Sequence, residues 1–428
     1  MRIWQNPSFA INVVNAFNWR IEYTCPQCGA PVLLEETDRL FTCPFCRVRL
    51  YLASNGCCHY YLPCPDIPSE QILLAPYWRF KGMIFSCASG EIKSGILDAS
   101  SPASDIPALP VSLGLRTQVL RLRFVRPEVP GRFLSADLPF KTALSRIEGS
   151  LNAVIHPVLA GQNLCKAFIG ETVSLVYAPL YYRNKVLYDA ILGRPVSSLS
   201  KGDKEPVPTA DDRPAWKIAF IPSLCPACGW DLEGERDSVI LFCRHCDAAW
   251  ESSSIGFQRF RVTFVPGSEK SVYLPFWRFT THVNGLKAPF RIHWPSAARL
   301  PRQPRKKTDD EDLALWTPAF KIHPEHFLRS SRRLTVSQLR EPCEGSMPKS
   351  SLHPVTLRAT EAAESLKMVL AAGAIANRIA FHDLADVQVT NTGSLLVFVP
   401  FMPSGNELVQ STLRFSIHRN ALQFGRNL

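Results

Sequence analysis

The chain has 428 residues, of which 46% are hydrophobic and 20% charged, a composition that excludes an intrinsically disordered protein. It contains 35 prolines, and because proline breaks helix interiors this disfavours a mainly helical fold. The net charge of +11 allows a polyanionic partner without requiring one. We expect no membrane span, since no apolar run reaches about 18 residues, and no secretory signal. The expected location is the cytoplasm, where paired cysteines bind metal more often than they form disulfides.

Eight of the fourteen cysteines form two sets with the same spacing, C-x2-C-x14-C-x2-C. The sets are Cys25, Cys28, Cys43 and Cys46, then Cys225, Cys228, Cys243 and Cys246. Two cysteines three positions apart on a tight turn can direct both thiolates at one ion. Gly29 and Gly229 follow the leading pairs, where a positive φ would turn backbone N–H groups toward the sulfurs. The spacing therefore predicts two metal sites, each completed by a short hairpin.

Each set resembles a four-cysteine zinc ribbon, and the resemblance carries all four ligands in each copy. It implies that the chain binds two Zn²⁺ ions through the eight cysteines. Four thiolates leave no open coordination position, so the implied sites are structural rather than catalytic. A rubredoxin-like iron site, an iron–sulfur cluster and free buried cysteines are the alternatives. His245, inside the last turn, is expected on the surface rather than as a ligand.

Motifs outside the ribbons also recur about 200 residues apart. The segment Ala75-Pro-Tyr-Trp-Arg-Phe80 returns as Leu274-Pro-Phe-Trp-Arg-Phe279. Two weaker matches pair Ile106–Pro110 with Thr317–Lys321, and Val176–Leu180 with Val397–Phe401. A repeat this long predicts two copies of one domain type rather than a solenoid of short units.

The expected fold class is α+β and β-rich, a tandem duplication in which each half is a zinc ribbon followed by a β-rich domain with one or two helices. Helices are predicted at Lys141–Leu151 and Thr360–Ala372, each followed by a hairpin, at Glu171–Ile191 and Ser394–Ile417. The predicted units are ribbon 20–52, domain 53–195, linker 196–219, ribbon 220–252 and domain 253–428. Two further segments, 299–312 and 341–352, are expected to be polar loops.

Arg79 and Arg278 lie in the repeated Trp-Arg-Phe motif, beside Trp78 and Trp277. An arginine next to a tryptophan can stack on it or bind a phosphate or carboxylate, so these four residues are candidate ligand contacts. In the alternative interpretation each arginine lies on the outward face of a strand whose aromatic neighbours pack inward. Replacing an outward arginine should change stability little, because surface ion pairs contribute modestly.

The remaining cysteines give weaker signals. A third metal or redox site could use Cys57, Cys58, His59, Cys64 and Cys87, but the second half has no such ligands at the corresponding positions, and buried small apolar side chains are the alternative. Cys165 and Cys343 are isolated in the sequence. An arginine-rich stretch could bind phosphates or form an ordinary edge strand; it comprises Arg116, Arg121, Arg123, Arg126 and Arg132.

The sequence contains no P-loop, dinucleotide glycine fingerprint, G-x-S-x-G elbow or H-E-x-x-H helix. We therefore expect a non-catalytic zinc-binding adaptor or assembly factor that binds a protein partner through two pseudo-equivalent modules. The alternative is a zinc-ribbon nucleic-acid-binding protein associated with replication or transcription. The net charge of +11 supports that alternative, whereas the even spread of this charge over both halves weakens it. Nothing in the sequence predicts an oligomeric state.

Overall fold

The computed structural model describes residues 18–54, 56–64, 66–88, 91–114, 121–154, 165–184, 186–198, 213–253, 256–285, 313–337, 339, 346–376 and 386–425. Within these residues the chain is rich in strands and has a few helices, which confirms the predicted β-rich α+β class. Several sequence predictions fall outside them: Arg116, Cys343, the segment 299–312, residues 199–212 of the linker and residues 341–345.

Short antiparallel strands build the two cysteine-containing ribbons. The first contains β1 (Arg20–Thr24), β2 (Pro31–Glu35), β3 (Leu40–Thr42) and β4 (Arg49–Ser54). The second contains β13 (Ile218–Pro222), β14 (Ile240–Cys243), β15 (Ala248–Ser253) and β16 (Gly256–Phe260). Strand β4 pairs with β3 on one side and with β13 on the other, so a single small sheet includes strands from both ribbons.

Long strands form the sheet of the first half. Its elements are β5 (Cys58–Tyr61), β6 (Leu73–Ala88), β7 (Glu91–Pro102), β8 (Leu122–Phe124), β9 (Arg132–Phe133), α1 (Phe140–Val154), β10 (Cys165–Arg183), β11 (Val186–Asp189) and β12 (Pro195–Ser198). A short 3-10 helix precedes β6. Strands β6 and β10 pair along most of their length and carry β7 and β11 on their outer sides. The predicted first hairpin is present, with its turn at Asn184, which has a φ of 51°.

The second half has its own sheet and more helix. Its elements are β17 (Val262–Phe264), β18 (Val272–Asn284), β19 (Leu313–Pro318), α2 (Pro324–Ser337), β20 (Ser351–Leu352), α3 (Ala359–Ala363), α4 (Leu366–Ala376), β21 (Gln388–Ser404), β22 (Glu407–Gln410), β23 (Phe415–His418) and α5 (Arg419–Gly425). The helix predicted at Thr360–Ala372 is present but interrupted at Glu364 and Ser365, so that the chain forms two helices there. The hydroxyl of Ser365 donates a hydrogen bond to the carbonyl oxygen of Ala362 at 2.6 Å, and this bond competes with the backbone hydrogen bonds of a continuous helix.

Several strand pairings recur in the two sheets. In each half a short strand pairs in parallel with the long C-terminal strand (β5 with β10, β17 with β21), which is antiparallel to the tryptophan-bearing strand (β6, β18). The indole N–H of Trp78 donates to the carbonyl of Leu138 at 2.8 Å, and that of Trp277 donates to Leu357 at 2.9 Å. Both carbonyls lie just before a helix, so the repeated tryptophan anchors the helical segment to the sheet in each half.

The pairing register tests the weaker sequence matches. Val176 lies opposite Tyr77, and Val397 lies opposite the equivalent Phe276, so the match between Val176–Leu180 and Val397–Phe401 is structural as well. The match of Ile106–Pro110 with Thr317–Lys321 is wrong. Tyr77 pairs with Pro102 and Phe276 with Pro318, so Ser101-Pro102-Ala103 is the counterpart of Thr317-Pro318-Ala319. The first half contains two Pro-Ala pairs, Pro102-Ala103 and Pro107-Ala108, and the sequence match used the second pair, five residues after the structural counterpart.

The halves pack against each other through the ends of the first-half strands. Met83, Phe85 and Ile169 belong to the same buried cluster as the core of the second half, and the rings of Phe85 and Phe327 are 6.0 Å apart. Residues 213–222 of the region between the halves are also anchored. Trp216 is buried and stacks on His59 with ring centroids 5.3 Å apart. The domain boundaries stay predictions, but the two halves share an apolar core.

Helices long and apolar enough to cross a bilayer are not found in the described part of the chain.

Candidate metal centres

The four thiols of each ribbon converge on one point. In the first ribbon the sulfur pairs Cys25–Cys46 and Cys28–Cys43 are separated by 3.8 and 3.7 Å. The equivalent pairs in the second ribbon are separated by 3.6 and 3.5 Å. Sulfurs placed tetrahedrally about 2.3 Å from one ion would be about 3.8 Å apart. All four sulfurs of a set also lie within 4.8 Å of one another, which fits a single ion and leaves no room for a multi-iron cluster.

A residue with positive φ follows each cysteine pair. The φ angles are 73° at Gly29 and 72° at Gly229, as predicted, and 61° at Arg47 and 50° at Asp247. At Gly29, Arg47 and Gly229 the backbone N–H donates to the carbonyl of the first cysteine of the pair, at 2.8–2.9 Å. This tight turn lets backbone N–H groups face the sulfurs. The sequence identified the two glycine turns but not the two that use larger residues.

The electrostatics of the clusters favour a bound cation. The backbone N–H of Cys46 lowers the pKa of Cys43 to about 6, against the opposing effect of burial. Burial and the hydrogen bonds that the Cys246 thiol donates to neighbouring sulfurs raise the pKa of Cys246 to about 12. Without a cation the thiols therefore share protons, because four adjacent thiolates repel one another. A divalent ion removes this repulsion and displaces the protons.

Direct contacts join the two ribbons next to their cysteine clusters. Tyr51 of the first ribbon is fully buried, and its hydroxyl donates to the carbonyl of Ser238 in the second ribbon at 3.2 Å. Arg236 of the second ribbon forms an ion pair with the buried Asp38 of the first. Tyr51 also shares an apolar cluster with the metal-site thiol Cys225. The two ribbons are therefore packed directly against each other beside their cysteine clusters.

Exposed apolar side chains are concentrated on the ribbons. Eight large apolar side chains are exposed in the described residues, and four lie on the ribbons: Leu33, Phe45, Leu224 and Trp230. Phe45 is 63% exposed and Trp230 is 60% exposed. The ring of Trp230 stacks on His245, with centroids 5.3 Å apart, which places His245 on the surface as predicted.

Two of these side chains, Phe45 and Leu224, lie at the same end of the β4–β13 ladder. Leu50, near the start of β4, pairs with Pro222, the last residue of β13. The turn between Cys43 and Cys46, which carries Phe45, lies just before β4, and Leu224 lies two residues after the end of β13. Two turns from different ribbons therefore meet beside one shared sheet.

Arg79 is not on an outward face. Its side chain is 0% exposed and forms ion pairs with Glu36 at 3.3 Å and with Asp98 at 2.5 Å. The guanidinium carbon lies 4.0 Å from the ring centroid of Trp19. Glu36 also pairs with the buried Lys81, whose pKa is lowered to about 8, mainly by burial. This buried network ties the first ribbon to the first-half sheet.

Arg278 occupies the equivalent sheet position in different surroundings. It is half-buried, and it makes no ion pair with any described residue. Trp277 is buried and Trp78 is half-buried. The candidate contacts therefore split into an inaccessible arginine and a partly accessible one. A role for any of the four in ligand binding stays a prediction.

The structure does not bring together the five candidate ligands of a third site, Cys57, Cys58, His59, Cys64 and Cys87. Among the described residues only the ribbons contain three or more Cys, His, Asp or Glu ligands close enough to share an ion. Burial lowers the pKa of His59 to about 4, which suits a neutral ring stacked in the core. The thiol of Cys64 donates to the carbonyl of Ala190. Arg121 and Arg123, in the arginine-rich stretch, both pair with Glu22.

No protein-family model matches the chain, and no curated protein or solved structure is significantly similar to it. The functional conclusions therefore depend on the site itself.

Proposed function

We propose that the chain is a non-catalytic zinc-binding protein that acts as an adaptor or assembly factor and holds a protein partner on its joined ribbons. The observation that supports this most strongly is the concentration of exposed aromatic rings beside two closed four-cysteine centres. Tryptophan and other aromatic side chains dominate the energetics of protein interfaces. A metal-fixed turn presents such a ring without the entropic cost of ordering a flexible loop.

Zinc is the proposed ion because four thiolates at tetrahedral separation match its preference, and four protein ligands leave no position for substrate. The repeated strand pairings and the repeated tryptophan hydrogen bond support a tandem duplication, with two pseudo-equivalent modules. The thirteen cysteines of the described residues form no disulfide, which suits a reducing compartment, so the proposal includes a cytoplasmic location.

The test compares three purified, zinc-loaded proteins used as bait with extracts of the source cell. The variants are the double replacement Phe45→Ala, Trp230→Ala and the control Phe424→Ala, which removes an equally exposed ring (68%) on α5, away from the ribbons. A partner retained by the native protein and by the control should then be purified and its Kd measured. Truncating a central aromatic contact costs about 2 kcal/mol or more, so the double variant should bind at least about 30-fold more weakly. Equal binding by all three proteins would show that the exposed rings of the ribbons do not contact the partner.

A nucleic-acid partner is the second candidate, supported by the exposed stack of Trp230 on His245, on which a base could continue the stack. Fluorescent single-stranded oligonucleotides titrated over a salt series distinguish the two. A nucleic-acid-binding protein should lose affinity with salt, with a log–log slope of about −0.7 for each phosphate contact. We expect no such binding, because the exposed Arg121 and Arg123 already pair with Glu22.

A further inference from the structure

Three sulfur atoms meet where the two halves of the chain pack together, far from the ribbons in sequence. Cys87 on β6 and Cys165 on β10 are directly opposite each other across neighbouring strands. The sulfur of Cys165 lies 3.3 Å from that of Met368, which belongs to α4 in the second half. The Cys87 thiol donates to the Cys165 sulfur, which lowers the pKa of Cys165 and raises that of Cys87. Two thiols and a thioether thus form one cluster from three segments.

The donor set of this cluster is soft. It contains no histidine or carboxylate. Among the described residues, only the two ribbon clusters bring together three or more of the cysteine, histidine or carboxylate ligands that zinc prefers. Thiolate and thioether sulfurs together select monovalent copper over zinc or harder ions. The cluster is therefore chemically distinct from the two ribbon centres.

Burial and charge also suit a soft monovalent ion. Cys87 and Met368 are both 0% exposed, whereas Cys165 is half-buried, so an ion would enter from the side of Cys165. A Cu⁺ ion held by two thiolates carries a net charge of −1. The ammonium group of Lys367, next to Met368 in the sequence, favours the thiolate form of both cysteines and would offset this charge.

We infer that Cys87, Cys165 and Met368 form a binding site for Cu⁺ at the junction of the two halves. The ion binds without change of oxidation state: both thiols lose their protons to solvent, and three sulfur–copper bonds form. This site is independent of the proposed adaptor role, and it would link the first-half sheet to helix α4 through a metal.

The test adds Cu⁺ anaerobically, as its acetonitrile complex, to the zinc-loaded full-length protein in the presence of a chromophoric Cu⁺ chelator. We expect one Cu⁺ to bind per chain before any zinc is released. Met368→Leu keeps the side-chain volume and removes only the sulfur, so the fold should survive. Since loss of even an outer partner of a metal ligand costs 10–100-fold, this variant and Cys165→Ser should each weaken binding by about tenfold or more. X-ray absorption should show sulfur neighbours only.

Cys57→Ser is the matched control, because Cys57 is also a half-buried cysteine outside the ribbons but lies in another part of the fold. It should bind Cu⁺ like the native protein. Native affinity in Met368→Leu and Cys165→Ser would overturn the proposal and leave the cluster as a packing contact. Zinc release with the first equivalent of Cu⁺ would overturn it as well, since the ribbon thiolates would then be the preferred ligands.

Discussion

Replacing Arg79 by alanine should destabilise the protein strongly, whereas the same change at Arg278 should not. Arg79 and Glu36 have side chains that are 0% and 1% exposed, so removal of the guanidinium leaves the buried carboxylate of Glu36 with only the more distant ammonium of Lys81, 3.7 Å away, to balance its charge. Breaking a buried pair in this way costs about 3–5 kcal/mol. Asp98 adds little to this cost, because its side chain is 39% exposed and water can replace the arginine. The stacking contact with Trp19 is lost too.

Arg278 provides the internal control, because it occupies the equivalent position on β18 and has no ion pair with a described residue. Its replacement by alanine should change the free energy of unfolding by no more than about 0.5 kcal/mol, as most substitutions outside buried networks do. Urea unfolding of the zinc-loaded proteins measures both effects. With an m-value of about 3 kcal/mol/M, Arg79→Ala should lower the midpoint by about 1 M or more. Equal midpoints for the two variants would refute the argument that Arg79 is a buried clamp between ribbon and sheet.

Three further results are expected. Purified protein should contain two zinc ions per chain by elemental analysis. The variant Cys228→Ser should lose one of them and should also be cleaved faster by protease in the first ribbon, because Tyr51 of that ribbon packs on the second ribbon. Unchanged protease resistance of the first ribbon would show that the ribbons are independent. Gly29→Ala should cost about 1 kcal/mol through its φ of 73° alone, since an added Cβ meets no atom within 4 Å; a much larger loss of stability would point to a steric cause. The pKa of Lys81 is lowered to about 8 from 10.5, so between these pH values the unfolded state holds the extra proton and the contribution of Lys81 to the free energy of unfolding rises with pH. Lys81→Met should abolish this rise in denaturation series at pH 7.5 to 10.5, relative to the native protein, and an unchanged slope would contradict it.

The two four-cysteine clusters could be predicted from the sequence because their geometry is local. Two cysteines on one tight turn constrain each other whatever surrounds them, and Gly29 marks the turn. The strand character of the Trp-Arg-Phe segments was also accessible, since alternation is a property of the strand itself. The orientation of Arg79 was not. An arginine between aromatic residues suggests an outward position, and only the folded ribbon brings Glu36 beside it.

Contacts between distant segments were also beyond the sequence. The pairing of β4 with β13 uses backbone groups, which carry no residue-specific signal. Cys87 and Cys165 are far apart in the sequence and become neighbours only through the register of two long strands. The helix predicted at Thr360–Ala372 is present but interrupted for a local reason, because a serine hydroxyl competes with the helical hydrogen bonds.

The ladder between β4 and β13 also bears on how the protein is made. The edge of β4 receives its partner only when a strand about 170 residues further along the chain has been synthesised. At about 5–20 residues per second, the first ribbon leaves the ribosome roughly 10–30 seconds before that strand. During this interval an unpaired strand edge and the ring of Tyr51 are open to other chains, and such edges promote aggregation. Zinc supply during translation, and the speed of the ribosome over the intervening region, should therefore influence how much of the protein reaches its native state.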